Sequence, residues 1–315
     1  MDPIIQINDL SVQFRTDTGI TQALDGITFD VERGKVTAIV GESGSGKSVT
    51  ANCVMRLIQP PGYITGGSIQ CLPKANAAFD IASLPDKDPL LYDLRGGTIS
   101  MVFQEPMTAL SPVLTVGNQI SEAILCHRNV TKKQAWQEAS DMLEHVGIGD
   151  VERRMHMYPF EFSGGMRQRA VIAMALVCNP ELLICDEPTT ALDVTIQAEI
   201  LTLIRDLQSE LNNSVIFITH DLGVVAQIAD YVVVMYQGRI LEIGSVHDVL
   251  KDPLHPYTKG LLAAIPGIAP PGQRLQTISS VVDPKELETP YPLVTLNNGR
   301  KVSLPNNQIR KGTQS

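Results

Sequence analysis

Apolar and polar residues alternate along IIQINDLSVQF (4–14) with the period of two that a half-buried strand requires. TDTG (16–19) reads as a turn, ITFDV (27–31) as the partner strand, and ERG as a second turn into the apolar run KVTAIV (35–40). An antiparallel β layer thus feeds a buried strand rich in β-branched residues. VTANCVMRLI (49–58) follows as a helix. PPGYITGG (60–67) is dense in breakers and reads as a connection, and residues 70–97, with their DKDP and PK turns, read as an irregular insertion. TISMVFQ (98–104) resumes as a buried strand.

Between residues 105 and 157 the period changes to that of helices. NQISEAILCH (118–127) is one, and TKKQAWQEASDMLEHVGI (131–148) is another, with Thr131 as N-cap and Gly147 just past its end. Trp136, Ala139, Met142, Leu143 and Val146 share a face of the second. This is a helical subdomain inserted in an α/β core. The core returns as helix RQRAVIAMALV (167–177), strand ELLICDE (181–187), helix 194–211, strand SVIFITH (214–220), helix GVVAQIAD (223–230) and strand YVVVMYQGRI (231–240). In the helix 194–211, Ile196, Ile200, Leu203, Ile204, Leu207 and Leu211 lie on one face. Alternating strands and helices imply a mostly parallel sheet with ligands at the carboxyl ends of its strands.

From Asp252 onward proline, glycine and polar residues rise. The chain therefore divides into a domain over 1–250 and an extension over 251–315. VTLNNGRKVSL (294–304) places Asn298-Gly299 between two alternating segments, a type I′ hairpin signal, and the last ten residues look frayed.

Composition narrows what such a core is for. With 315 residues and 43 % hydrophobic content the chain has ample material for a globular core. Mean hydropathy is +0.05. The longest apolar run, AVIAMALVC (170–178), is about half of the roughly 20 residues that cross a bilayer. MDPIIQINDL lacks the basic and apolar stretches of a secretory signal. Cys53, Cys71, Cys126, Cys178 and Cys185 form no CxxC pair and sit mostly in apolar runs, which fits a reducing compartment and argues against disulfides, zinc or an iron–sulfur cluster. A net charge of −9 argues against nucleic acid as the main partner.

The chemistry is concentrated in GESGSGKS (41–48), set between a strand and a helix in the GxxxxGK[ST] pattern of a phosphate-binding loop. Gly41, Gly44 and Gly46 let successive N–H groups turn inward toward anionic oxygens, and the following helix adds the positive end of its dipole. Lys47 is placed to reach the terminal phosphates and the Ser48 hydroxyl to ligate Mg²⁺. With strand and helix both in position, a plain Gly/Ser surface loop is the weaker reading. LLICDE (182–187) ends a strand in two carboxylates. Asp186 would hold Mg²⁺ through water, and Glu187 would polarise the water that attacks the γ-phosphate. FSGGMRQR (162–169) opens a helix with a second anion-binding corner, although the chain already has one phosphate cradle. The economical solution is that this second corner serves another subunit's nucleotide.

Taken in order, GESGSGKS, Gln104, FSGGMRQR, LLICDEP, ALD (191–193) and His220 resemble the motifs of ATP-binding-cassette (ABC) ATPases. The resemblance implies the ABC nucleotide-binding fold: a phosphate-loop parallel-sheet core, an antiparallel β layer, an inserted helical subdomain and here a small C-terminal extension. It implies that Phe14 stacks on adenine and that Gly41, Ser43, Gly44, Ser45, Gly46, Lys47, Ser48 and Val49 hold the phosphates of ATP. It further implies that Gln104 links Mg²⁺ to a transport subunit, and that His220 contacts the γ-phosphate. Ser163, Gly164 and Gly165 would reach the partner's ATP, with Asp193 joining the two sites.

YITGGSI (63–69), residues 94–120 and DPLHPYTKGLLAAIP (252–266) resemble, more narrowly, the ATP-binding subunits of oligopeptide, dipeptide and nickel permeases. That implies an importer's ATPase, peripheral on the cytoplasmic face of the plasma (inner) membrane. Its partners would be a second ABC ATPase subunit, two transmembrane permease subunits and an extracytoplasmic solute-binding protein. Peptide, nickel or another small solute remain open as cargo, and a soluble non-transport ABC ATPase is the rival class. Met166 stands where many cassettes have glutamine, which removes a polar side chain but leaves the N–H corner intact. Many members of the group carry a cysteine-rich segment after HPYT; here no cysteine follows Cys185.

Overall fold

The computed structural model describes residues 2–74, 76–104, 109–190, 192–264, 287 and 291–305. Strands β1 (Pro3–Thr16) and β2 (Gly19–Glu32) pair antiparallel across the short Asp17-Thr18 turn, so the partner strand begins well before Ile27. β4 (Gly62–Cys71) lies on the other side of β1, and the two-residue β5 (Phe79–Asp80) closes a sheet of order β2-β1-β4-β5. Residues 60–67 are therefore largely strand, not connection, and 70–97 holds β5 and a short helix, Pro89–Leu94. The glycines that read as breakers instead permit close approach. A Cβ on Gly62 would sit 2.5 Å from the Phe14 ring, and one on Gly67 would sit 2.3 Å from the Asp9 carbonyl oxygen at the bulge in β1.

The second sheet runs β11-β12-β10-β9-β3-β8-β7-β6. Its parallel half is β3 (Val36–Val40), β6 (Ile99–Val102), β7 (Leu182–Asp186), β8 (Ser214–Thr219) and β9 (Tyr231–Tyr236). β10 (Arg239–Ser245), β11 (Leu293–Thr295) and β12 (Lys301–Ser303) add antiparallel. Alternate residues of these strands go to opposite faces. Ile39, Leu182, Ile184, Ile216 and Ile218 pack against the β1–β2 layer, while Leu183, Cys185, Val215 and Phe217 pack against helices.

The α-helices lying wholly within the described residues are, in chain order, α1 (Lys47–Val54), α2 (Pro89–Leu94), α3 (Val116–His127), α4 (Lys132–His145), α5 (Val151–Arg154), α6 (Gly164–Leu176), α7 (Val194–Leu211), α8 (Leu222–Ile228), α9 (Val246–Lys251) and α10 (Pro256–Ala263). Thr131 caps α4 with a complete capping box closed by Gln134, and Gly147 follows it with φ 79°. Ala135, Ala139, Leu143 and Val146 are the fully buried residues of that region; Trp136 and Met142 are only partly covered. The expected start of the helical subdomain, 105–108, and the tail 306–315 read as frayed lie outside the described residues.

Two turns differ from the sequence reading. Residues 231–240 are not one strand: the chain reverses at Gln237-Gly238, both with positive φ (44° and 78°), into β10. That is type I′ geometry, reached without an asparagine or aspartate to signal it. Asn298-Gly299 does sit in a hairpin, β11–β12, but not a type I′ one. Gly299 has φ 82° while Asn298 has no positive φ, and the bonds Gly299 N–H to Leu296 O (3.0 Å) and Leu296 N–H to Arg300 O (2.7 Å) mark a longer turn with glycine in the left-handed position.

Candidate functional site

β3 is buried at every position and ends at the loop 41–48, which α1 follows directly. Gly41 has φ 150° and a Cβ there would meet the Met235 carbonyl oxygen at 2.1 Å, so the loop leaves the sheet pressed against β9. Gly46, φ 102°, caps α1, and a Cβ there would strike Leu24 and the Ala23 carbonyl at 2.7 and 2.9 Å. The β9–β10 turn braces the far side, with Gly238 N–H donating to Ser45 O at 3.0 Å. Glu42, Ser43 and Gly44 remain exposed, Ser45, Gly46 and Lys47 are buried, and Ser48 and Val49 lie between. The Lys47 ammonium donates to the carbonyls of Gly41 and Glu42, both at 2.8 Å. Burial lowers its pKa, against the pull of Glu187, Asp186 and Glu42.

The Ser48 hydroxyl donates to Asp186 Oδ1 at 3.0 Å, joining the start of α1 to the tip of β7. Burial pushes the Asp186 carboxyl up, with the Ser48 hydrogen bond working against it. Glu187, the next residue, is held on three sides. Gln104 Nε2 donates to its Oε2 at 3.2 Å, the Thr190 hydroxyl donates to the same oxygen at 2.9 Å, and His220 Nδ1 lies 3.3 Å from its Oε1. Lys47, Ser48, Gln104, Asp186, Glu187 and His220, drawn from four separate stretches of sequence, thus meet at the carboxyl ends of β3, β6, β7 and β8. Thr190 and the β9–β10 turn belong to this assembly too and were not anticipated. Thr190 sits in the two-residue gap between LLICDEP and ALD, and a type I′ signal that needs asparagine or aspartate misses Gln237.

The donor set suits a magnesium–triphosphate. Ser48 and Asp186 offer hard oxygens of the kind magnesium takes. Gly44, φ 80°, has open space where a Cβ would stand, and the buried Ser45 hydroxyl has no partner among the described residues. An anion lying along the loop would meet bare N–H groups rather than side chains.

Other expected site residues stand apart. Ser163 caps α6 by accepting from Met166 N at 3.3 Å, and Ser163 and Gly164 are exposed. Gly165 lies against Ile196, 3.1 Å from where its Cβ would be. Asp193 caps α7 by accepting from Ile196 N at 2.9 Å and is exposed. Among the described residues no hydrogen bond joins Ser163, Gly164, Gly165 or Asp193 to the loop 41–48. Phe14 lies on β1 above Gly62, partly covered.

Residues 24–190 match the family model described as ABC transporter, and residues 241–290 match that of the oligopeptide/dipeptide transporter C-terminal region. The chain is 51 % identical over 271 residues to the oligopeptide transport ATP-binding protein OppD of Bacillus subtilis, covering 86 % of this chain and 74 % of that one. It is 50 % identical over 293 residues to the dipeptide transport ATP-binding protein DppD of the same organism, covering 93 % and 85 %. Among solved structures, the dimeric post-hydrolysis state of the ATP-binding cassette MJ0796 with ADP and Pi superposes with a TM-score of 0.66 at 25 % identity, covering 77 % of this chain and 98 % of that one. The cbiO1 component of a Clostridium perfringens transporter gives 0.65 at 28 % identity, covering 80 % and 92 %. Motif geometry, sheet order and sequence agree: this chain belongs to the ABC transporter family and is one of its ATPases.

Proposed function

We propose that the chain is the ATP-hydrolysing subunit of a peptide importer, working as one of two cassettes that close on ATP beneath a pair of membrane permeases fed by an extracytoplasmic binding protein. The observation that carries the catalytic half is the Glu187 carboxylate, fixed by Gln104, Thr190 and His220 beside the Lys47–Ser48–Asp186 group. The cargo assignment rests on relatives named for oligopeptide and dipeptide transport at about half identity and on the matching C-terminal region.

In this reading Lys47 swings from its two loop carbonyls to the terminal phosphates, and the loop N–H groups take the remaining charge. Ser48, Asp186 and Gln104 would hold magnesium, which when bound supplies positive charge to the phosphate oxygens. Glu187 accepts a proton from the water whose oxygen attacks the γ-phosphorus. The bond to the bridging oxygen breaks, and ADP leaves with that oxygen. His220, which meets the other oxygen of the Glu187 carboxylate, would donate to the γ-phosphate. Phe14 would carry the adenine. Residues 1–250 act as the cassette and 251–315 as an extension, whose Tyr257 and Leu262 pack into one of the cassette's core clusters.

Exposed apolar residues near Gln104 in sequence and on the helical subdomain support the membrane partnership. Phe103 is exposed beside Gln104, Tyr158 and Phe160 stack, and the exposed Val113 and Leu114 lead into Val116, whose N–H bonds Met157 O at 2.9 Å. A short cytoplasmic helix of a permease would cover it. No described helix is long and apolar enough to cross a membrane itself.

The test is a transporter reassembled in vesicles with its permeases and binding protein. The wild-type chain should couple ATP hydrolysis to peptide uptake. Glu187→Gln should keep ATP affinity and lose roughly 10²–10⁴-fold in turnover, the usual contribution of a general base. Steady hydrolysis by that variant would remove the base assignment, and uptake of another solute in place of peptide would remove the cargo assignment.

A further inference from the structure

The phenol of Tyr257, from the HPYT element of α10, is buried at 0 % exposure and reaches the phosphate-binding loop itself. Its oxygen accepts the N–H of Glu42 at 3.1 Å. On its other side the Glu42 carbonyl accepts from Lys47 at 2.8 Å and from Ser45 N at 3.2 Å. Glu42 is thus the point where the C-terminal segment grips the first turn of the loop. Tyr257 has little freedom to let go. Its ring lies 4.8 Å from that of Tyr236 and packs with Ala38 and Val40 of β3, the strand that delivers the loop. Its N–H donates to His255 Nδ1 at 3.0 Å, and the N–H groups of Leu254 and His255 donate to the buried Glu242 carboxylate, each at 3.0 Å.

We infer that Tyr257 is a positioning residue for ATP binding: it holds the Glu42 peptide in the orientation that presents the loop's N–H groups to phosphate, so nucleotide affinity depends on the C-terminal element. The inference rests on reading residues 41–48 as the phosphate cradle. Without the phenol oxygen, the Glu42 amide has no partner where it stands and the loop samples other turns. Apparent affinity then falls in proportion to the fraction of loop still in the binding conformation. A hydrogen bond of ordinary strength corresponds to about a tenfold loss.

The experiment uses the full chain, with displacement of a fluorescent ATP analogue, steady-state hydrolysis and thermal unfolding measured on each variant. Tyr257→Phe keeps the ring and removes one oxygen. It should raise the ATP Kd and KM about tenfold while changing kcat by no more than about twofold. Leu262→Ala removes packing from the same helix and cluster but touches no loop residue; it should lower Tm and leave the ATP Kd at the wild-type value. Wild-type Kd and KM in Tyr257→Phe would overturn the inference. So would an equal rise in Kd for Leu262→Ala, because the helix would then act through stability alone. Lys47→Ala separates the two levels. If it still binds ATP as the wild type does, the cradle reading falls and the inference with it; if it loses binding while Tyr257→Phe does not, only the inference falls.

Discussion

His255 caps α10 with a ring nitrogen that has to remain bare, because Nδ1 accepts the Tyr257 N–H at 3.0 Å. Burial, with Lys259 nearby, lowers its pKa from 6.5 to about 4, although a backbone hydrogen bond with Ser303 works the other way. Between those two values the unfolded ring is protonated and the folded ring is not, so the unfolded state binds the extra proton. The stability it contributes is therefore whole above pH 6.5 and is lost as pH falls toward 4. The shift is worth about 3 kcal/mol across the window. Asparagine also serves as a helix cap and offers an oxygen that does not titrate in this range. His255→Asn should therefore show a shallower fall in urea-unfolding stability between pH 7 and pH 4.5 than the wild type, and an identical slope would remove His255 as the source. The residues proposed for the nucleotide site could be picked out of the sequence because their motifs are local: a glycine-spaced loop, and two acids at a strand end. Tyr257 stood inside a recognised motif, yet its contact with Glu42 spans most of the chain, and no local pattern announces such a contact.

The β11–β12 hairpin is fastened to the sheet by charge as well as by backbone pairing. Arg300 Nη2 donates to Glu242 Oε1 of β10 at 2.7 Å and to the Asp252 carbonyl at 2.7 Å, with both ionised side chains buried. Glu242 also accepts the Leu254 and His255 N–H groups that open α10, so one carboxylate ties hairpin, helix and strand together. Removing one member of such a pair leaves a buried charge uncompensated. Arg300→Met should cost about 3–5 kcal/mol in unfolding free energy. The double variant Glu242→Gln with Arg300→Met should recover part of that, since an amide removes the buried charge and still offers one oxygen to one of the two N–H groups. A double variant no more stable than Arg300→Met would mean that the uncompensated Glu242 charge is not the source of the loss. Elements set by apolar period, such as α4 and α7, were readable from the sequence almost to the residue. β4 was not, because Gly62, Gly66 and Gly67 look like breakers. Two of them serve close packing, beneath Phe14 and against Asp9, and that use shows only once the neighbouring strand is in place.

At the scale of the molecule, the loop 41–48 and the Ser163 cap differ in their surroundings. The loop is braced by β2, β9, the β9–β10 turn and α10. The cap at the start of α6 is exposed, and among the described residues no hydrogen bond ties it to the loop of its own chain. A helix start with bare N–H groups favours an anion, and a triphosphate held on one side by Lys47 still has charge to be met on the other. If that second contact comes from a partner cassette, the two halves can be separated by mutation. Ser163→Arg fills the cap with a bulky side chain and leaves the loop of the same chain untouched. The isolated variant should bind ATP with wild-type affinity, whereas the assembled transporter carrying it should lose most of its hydrolysis, by about 10²-fold or more for the loss of a charge-stabilising contact. A cap that served its own chain's nucleotide would instead weaken ATP binding by the isolated subunit. Binding to the monomer and turnover by the complex, measured on the same variant, therefore decide whether ATP is held within one subunit or between two.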